Sequence, residues 1–360
     1  MLTNSNSIDM KIIYIVLFII IFCTPPLFSQ NNYQVSGFGH IEHEFEYFEA
    51  DEEMEIGWAL GEQSLFVSGG IGKKFSYLGE FAINYTINEH DHTSGFATSV
   101  RRARIKYNYF GNHSVIIGQM HTPVNYWNDV YYHARIFFPT TDRPLSFAYL
   151  LPVHSLGIRA QGQNLGKLNF GYDIQTGNSL EGDELNPAFI GAVHIKPTDG
   201  MRIGASFYYN HITDNSKVHH MHEEAHLASS DYEGALDYHL ICFSFARFEK
   251  PLEILNEFST TLTRTDSLGM AQSYSNYLYL GYNIKDRFTP YVNCDFIQSG
   301  NNDLRNGPFN QIKYGVGYKH EFSPALNLKL QVERYTSFNK TNNPAPNYYE
   351  FTMQFSYAIY

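Results

Sequence analysis

Apolar residues recur at every second position along most of this chain. From Tyr33 the odd positions run Val35, Gly37, Gly39, Ile41, His43, Phe45 and Tyr47, while the even ones include Ser36, His40, Glu42, Glu44 and Glu46. The same beat returns in Phe75, Tyr77, Phe81, Ile83 and Tyr85, and in Ala103, Ile105, Tyr107 and Tyr109, which alternate with Arg102, Arg104 and Lys106. Later sets are Leu168-Phe170-Tyr172-Ile174, Ile203-Ala205-Phe207-Tyr209, Ile312-Tyr314-Val316-Tyr318, Leu326-Leu328-Leu330-Val332 and Phe351-Met353-Phe355-Tyr357-Ile359. A period of two is the mark of strands with one apolar face. No stretch sustains a helical period, so the pattern predicts an all-β chain.

The connectors alternate in length. Short ones carry turn residues: GGIGKK (69–74), FGNH (110–113), QGQNLG (161–166), KPTDG (196–200), FEKPL (248–252), NIKDR (283–287) and EFSPAL (321–326). Longer polar ones fall between them, at 88–96, 176–187, 211–230, 299–309 and 339–347. Short turns on one side and long loops on the other are the layout of transmembrane antiparallel β-barrels of the outer membrane. Threading the chain this way gives about 16 strands, an even number with both termini on the periplasmic side.

One connector stands apart. His121 to Arg159 reads HTPVNYWNDVYYHARIFFPTTDRPLSFAYLLPVHSLGIR and becomes the third outer loop. A loop this long is usually functional or disordered, and its many Tyr, Trp, Phe, Leu and Ile residues oppose disorder. A loop with apolar anchors and charged tips needs a cavity to fold into. The expectation is that it enters the barrel lumen and narrows it, with Tyr126 and Trp127 on the wall. His133, Arg135, Asp142 and Arg143 then supply polar tips, and His121 and His154 hydrogen-bond at its base.

Composition agrees with a barrel. The chain has 28 Tyr and 28 Phe yet a mean hydropathy of -0.31, because alternation averages the membrane face away. The one apolar run, Ile12 to Phe22, follows Met10 and Lys11 and precedes CTPPLFSQ. It reads as a secretory signal over residues 1–29, with cleavage after Ser29 and residues 30–360 as the barrel. Met10 is a more natural start than Met1. Phe22 stands where a lipid-attachment site needs a small residue, so Cys23 is not read as a lipid anchor. Cys242 and Cys294 then remain, in separate strands, and are expected as free thiols. A net charge of -11 argues against nucleic acid as a partner. The expected surroundings are the outer-membrane lipid of a Gram-negative bacterium, with small hydrophilic solutes as cargo.

A barrel of this size leaves an aqueous channel, so inward residues decide what passes. Arg102, Arg104 and Lys106 form either a ladder of salt bridges to neighbouring strands or a cationic wall favouring anions; Arg135, Arg143 and Arg159 would extend it. Glu42, Glu44 and Glu46 on the first strand are expected to face it as an acidic wall. His219, His220, His222 and His226 crowd one outer loop beside Glu223 and Glu224, with His90 and His92 in another. These tracts are either plain polar loop or a site capturing Zn or Cu. If they capture metal, calorimetry on the folded protein shows binding that weakens near pH 5 as imidazoles protonate, and replacing all four by Ala abolishes it. The chain contains no GxSxG, and its one HExxH spacing, HEEAH (222–226), falls in a long polar outer loop with no helical period to set both histidines on one face. A channel is therefore favoured over an enzyme, and over a non-conducting adhesive or structural barrel.

Local motifs point the same way. The GQM-HTPV step from Gly118 to Val124 resembles the strand end and loop start of outer-membrane porins, in the broad class that includes the phosphate-selective porins O and P. YYHARI (131–136), TTDRP (140–144) and LPVHSLG (151–157) resemble motifs of porin-like outer-membrane proteins. The resemblance implies a diffusion channel and admits a homotrimer. Tyr360 departs from the pattern, standing one step out of phase with the apolar set of the last strand.

Overall fold

The computed structural model describes residues 33–50, 52–88, 93–131, 138–179, 187–213, 234–266, 269–300, 310–338 and 347–360. Among these, sixteen strands form a closed antiparallel barrel. The first half comprises β1 (Tyr33–Phe48), β2 (Glu53–Ile71), β3 (Phe75–Asn88), β4 (Thr93–Phe110), β5 (His113–His121), β6 (His154–Leu165), β7 (Phe170–Ser179) and β8 (Pro187–Ile195). The second comprises β9 (Met201–Ile212), β10 (Leu236–Glu249), β11 (Leu252–Thr265), β12 (Gly269–Tyr282), β13 (Phe288–Gln298), β14 (Asn310–Ser323), β15 (Leu326–Ser337) and β16 (Tyr348–Ile359). Each strand pairs with its sequence neighbours, and β1 pairs with β16 from Gly37↔Ile359 to Phe48↔Tyr348. Closure leaves no sheet edge, which a bilayer would not tolerate.

The alternation read from sequence separates two faces. Phe81, Ile105, Ile117, Ile158, Ile174, Phe189, Phe243, Val292, Val316 and Phe355 are exposed and ring the outside. Their neighbours Glu80, Gln175, Ser206, Thr261, Ser275, Lys313, Gln331 and Gln354 are buried inside. All seven expected short turns join strands at one end of the barrel. At the other end β1–β2 and β11–β12 are also joined briefly, by 49–52 and 266–268. β16 ends at Ile359, so Tyr360 follows the strand and its phase carries no register. Cys242 is buried inside β10 and Cys294 is exposed on β13, and both are free thiols.

Besides register shifts beside three of the short turns, two irregularities break the beat within the strands. Gly39 faces Gln63 while Ile41 faces Leu60, so Gly61 and Glu62 together stand opposite His40. On β4, Val100 faces Phe81 and Arg102 faces Glu80, which leaves Arg101 as the extra residue. A bulge of this kind shifts the side-chain phase of one strand. Below it, Ala103 and Ile105 face out; above it, Val100 does. Arg101 and Arg102 therefore both turn inward.

Candidate functional site

The connector between β5 and β6 begins as an extension of their ladder, with Thr122 N–H donating to Val153 O at 2.9 Å. The next residues form a short helix, α1 (Tyr126–Tyr131), and a second, α2 (Leu145–Tyr149), lies further on. A helix start carries unsatisfied N–H groups, and here the barrel wall supplies the acceptors. Glu257 Oε1 on β11 accepts from Tyr126 N at 2.6 Å and Trp127 N at 2.9 Å, and Asp295 Oδ2 on β13 accepts from Leu145 N at 2.5 Å. Asn128 Nδ2 ties α1 back to Thr122 O, and Tyr238 OH of β10 donates to Leu150 O at 2.6 Å. Lys329 of β15 donates to Thr140 O at 3.2 Å, and Gln331 Oε1 accepts from Thr141 N.

Apolar packing follows the same path. Val124, Leu145, Phe147, Leu150 and Leu151 form one cluster with Ile190, Tyr208, Leu236 and Leu240 of β8–β10. Tyr126, Trp127 and Phe138 form another with Leu255, Tyr279 and Tyr291 of β11–β13. Every wall residue named here points inward, so the described parts of the segment pack against the inner wall of the barrel. Tyr126 and Trp127 are buried anchors within it. His121 and His154 pair across β5–β6 at the loop's base, ring to edge at 4.8 Å. His133 and Arg135 lie outside the described residues, as do His90, His92, His219, His220, His222 and His226.

Most of the cations on this side are paired. Arg102 makes an ion pair with Glu80 across β3–β4 and stacks over Phe66. Glu62 receives both Arg101, at 3.7 Å, and the loop's Arg143, at 3.8 Å. Arg159 lies 3.7 Å from Asp173 and donates to Gln175 and to His121 O. Arg202 of β9 reaches Asp129 of α1 at 2.5 Å. Burial would push the Asp129 carboxyl up, but the Arg202 and Arg159 guanidiniums outweigh it and hold the group below the ordinary carboxylate range. The ladder is thus part salt bridge and part free charge. Arg104 and Lys106 are half-buried and form no ion pair among the described residues.

The expected opposition of acidic and basic walls does not arise. Only β2 and β3 separate β1 from β4, so Glu42, Glu44 and Glu46 stand beside the basic strand and not across from it. Glu42 is buried under Gln354, which donates to it at 2.9 Å. Glu46 instead belongs to a row of register partners, Glu333–Glu350–Glu46–Glu55, running across β15, β16, β1 and β2. Like charges set opposite one another repel. Lys313 relieves the row, lying 3.3 Å from Glu333 and 3.8 Å from the loop's Asp142. Oxygens of Asp142, Glu333 and Glu350 come within 4.8 Å of one another, with the Lys313 ammonium as their counter-ion.

Burial divides the interior. Inward side chains of β8 to β16 are nearly all buried against the connector or each other, whereas Phe66, Ser68, Ser76, Leu78, Arg104 and Lys106 on β2–β4 are only half-buried. Level with Arg104 the wall loses its side chains altogether: Arg104 faces Gly118, Gly118 faces Gly157, and Gly157 faces Gly177. A Cβ at Gly157 would stand 2.1 Å from Thr176 O, so no larger residue fits this close strand approach. Arg101, Glu62, Arg202, Glu257 and Asp295 were not among the residues expected from sequence. The phase slip between Val100 and Ala103 was the one readable signal, and it marks Arg101.

No protein-family model matches the chain, and no curated protein matches it in sequence. Solved structures match along nearly its whole length. An anion-selective porin from Comamonas acidovorans superposes with a TM-score of 0.67 at 12% identity, covering 92% of this chain and 100% of that one. The fold is that of the outer-membrane porins. The trimer form of OmpT, an outer membrane protein of Vibrio cholerae, gives 0.63 at 9% identity over 91% of this chain and 99% of its own. The outer membrane channel DcaP of Acinetobacter baumannii gives 0.61 at 10%, over 92% and 98%. The narrower likeness to phosphate-selective porins rests on the sequence motifs alone.

Proposed function

We propose that this chain, exported by residues 1–29, is an outer-membrane channel of a Gram-negative bacterium that passes small hydrophilic solutes and prefers anions. The observation that carries the preference is the pair Arg104 and Lys106. These cations form no ion pair among the described residues and lie on the half-buried part of the wall, beside a floor of three glycines. The connector packs against the β8–β16 side, which leaves solutes a passage along the half-buried positions of β1–β4 and the glycines that follow on β5–β7. An ion there feels nearby fixed charges with little screening. The names of two structural neighbours, an anion-selective porin and an outer membrane channel, support the reading, and the trimer form of a third supports a homotrimer.

The test is a planar bilayer with potassium chloride at unequal concentrations on its two sides. Discrete channel steps are expected, with a reversal potential on the chloride side of zero. A folded protein that gives no steps would end the channel reading; a reversal on the potassium side would end the anion preference.

A further inference from the structure

The geometry points to a binding shelf for aromatic carboxylates in the passage, a substrate class that rests on the channel reading above. Barrel lumens are ordinarily polar, yet Phe38, Phe66 and Leu78 all occupy inward positions on β1–β3. Each is only half-buried and keeps some accessible surface. The Phe38 and Phe66 rings lie 5.1 Å apart between centroids. Phe66 faces Glu80 and Leu78 faces Ser68, which makes Phe66 and Leu78 diagonal neighbours on adjoining strands. Diagonal pairs sit roughly 7–8 Å apart, within reach of one bridging ring.

The charge lies beside this apolar strip. Leu78 is the register partner of Arg104, and Ser76 is the partner of Lys106. Cross-strand partners place their Cβ atoms about 4.5–5.5 Å apart. A phenyl ring resting on Phe66 and Leu78 would therefore present a ring-bound carboxylate to the Arg104 guanidinium, with Lys106 one step along the strand. Arg102 covers Phe66 from 5.5 Å, but its charge is matched by buried Glu80, so it shapes the shelf and adds little net field. A small inorganic anion meets only the cations, and an apolar ring alone meets only the shelf. An aryl carboxylate meets both.

Sodium benzoate and sodium acetate carry the same charge and differ by the ring, so they separate the two contributions. Added to a bilayer in potassium chloride, benzoate is expected to block the chloride current at about tenfold lower concentration than acetate, as partial burial of a ring allows. Replacing Phe38→Ser with Phe66→Ser should bring that ratio close to one and leave the reversal potential in potassium chloride unchanged. Equal block by both anions in the natural protein, or an unchanged ratio in the double variant, overturns the shelf. Should the double variant fail to show heat-modifiable migration, Leu78→Ser removes part of the same surface and must lower the ratio. If the protein conducts nothing, the channel reading falls separately. The shelf is then judged by radiolabelled benzoate bound to the detergent-folded protein: binding that acetate displaces only at about tenfold higher concentration upholds it, and no binding above the variant overturns it.

Discussion

Excising Tyr126 to Leu150 and joining Asn125 to Leu151 through a short Gly-Ser link raises single-channel conductance severalfold. The ends are ready for such a link, because Thr122 and Val153 are already hydrogen-bonded at 2.9 Å. The barrel wall closes through its own ladder and does not need the segment for pairing. What it loses is the packing against the β8–β16 side. Ile190, Tyr208, Leu236 and Leu240 then face water, so the variant is also less resistant to heat. A gentler change tests the same device from the wall: Glu257→Ala strips the acceptor from two buried N–H groups of α1. A buried donor left without its acceptor costs roughly 1–3 kcal/mol, enough to loosen the segment and make the open current noisy. Unchanged conductance after the excision would mean that the segment does not limit flow.

Replacing Arg104 and Lys106 by Gln is expected to carry the reversal potential through zero towards potassium at about 0.1 M salt, where the Debye length is about 10 Å. At 1 M the Debye length is about 3 Å and the two proteins should converge. Arg102→Gln provides the contrast. It breaks the ion pair that Arg102 makes with the fully buried Glu80 carboxylate, and breaking such a pair costs on the order of 3 kcal/mol. Its main effect falls on folding and heat stability. Selectivity that survives the loss of Arg104 and Lys106 at low salt would show that the preference arises elsewhere.

The wall was legible because alternation and turn chemistry are local properties. Each strand announces its own two faces, as in Leu168-Phe170-Tyr172-Ile174, and each hairpin its own turn. The burial of Tyr126 and Trp127 was legible from the connector's aromatics. The connector's attachments were not: Glu257 and Asp295 are 131 and 150 residues away from the N–H groups they receive. Nothing in a strand's alternation distinguishes a carboxylate that caps a distant helix from one that faces water. The arginine ladder was read on the correct strand, but its pairing depended on Glu80 and Glu62, whose positions follow from register and two bulges. The two short helices are five and six residues long, too brief to impose a period on the sequence.

The seam between β1 and β16 has a bearing on biosynthesis. Gln354 donates to Glu42 across 312 residues of chain, and twelve register pairs join the two strands. Such remote pairing is slow to find, because the chain must meet its own beginning after everything between has been laid out. A nascent protein lacking its last dozen residues would hold β1 and β15 as two bare edges, each ready to recruit another chain. Until the final strand is delivered, this polypeptide is an aggregation hazard, made safe only when the β1–β16 seam closes.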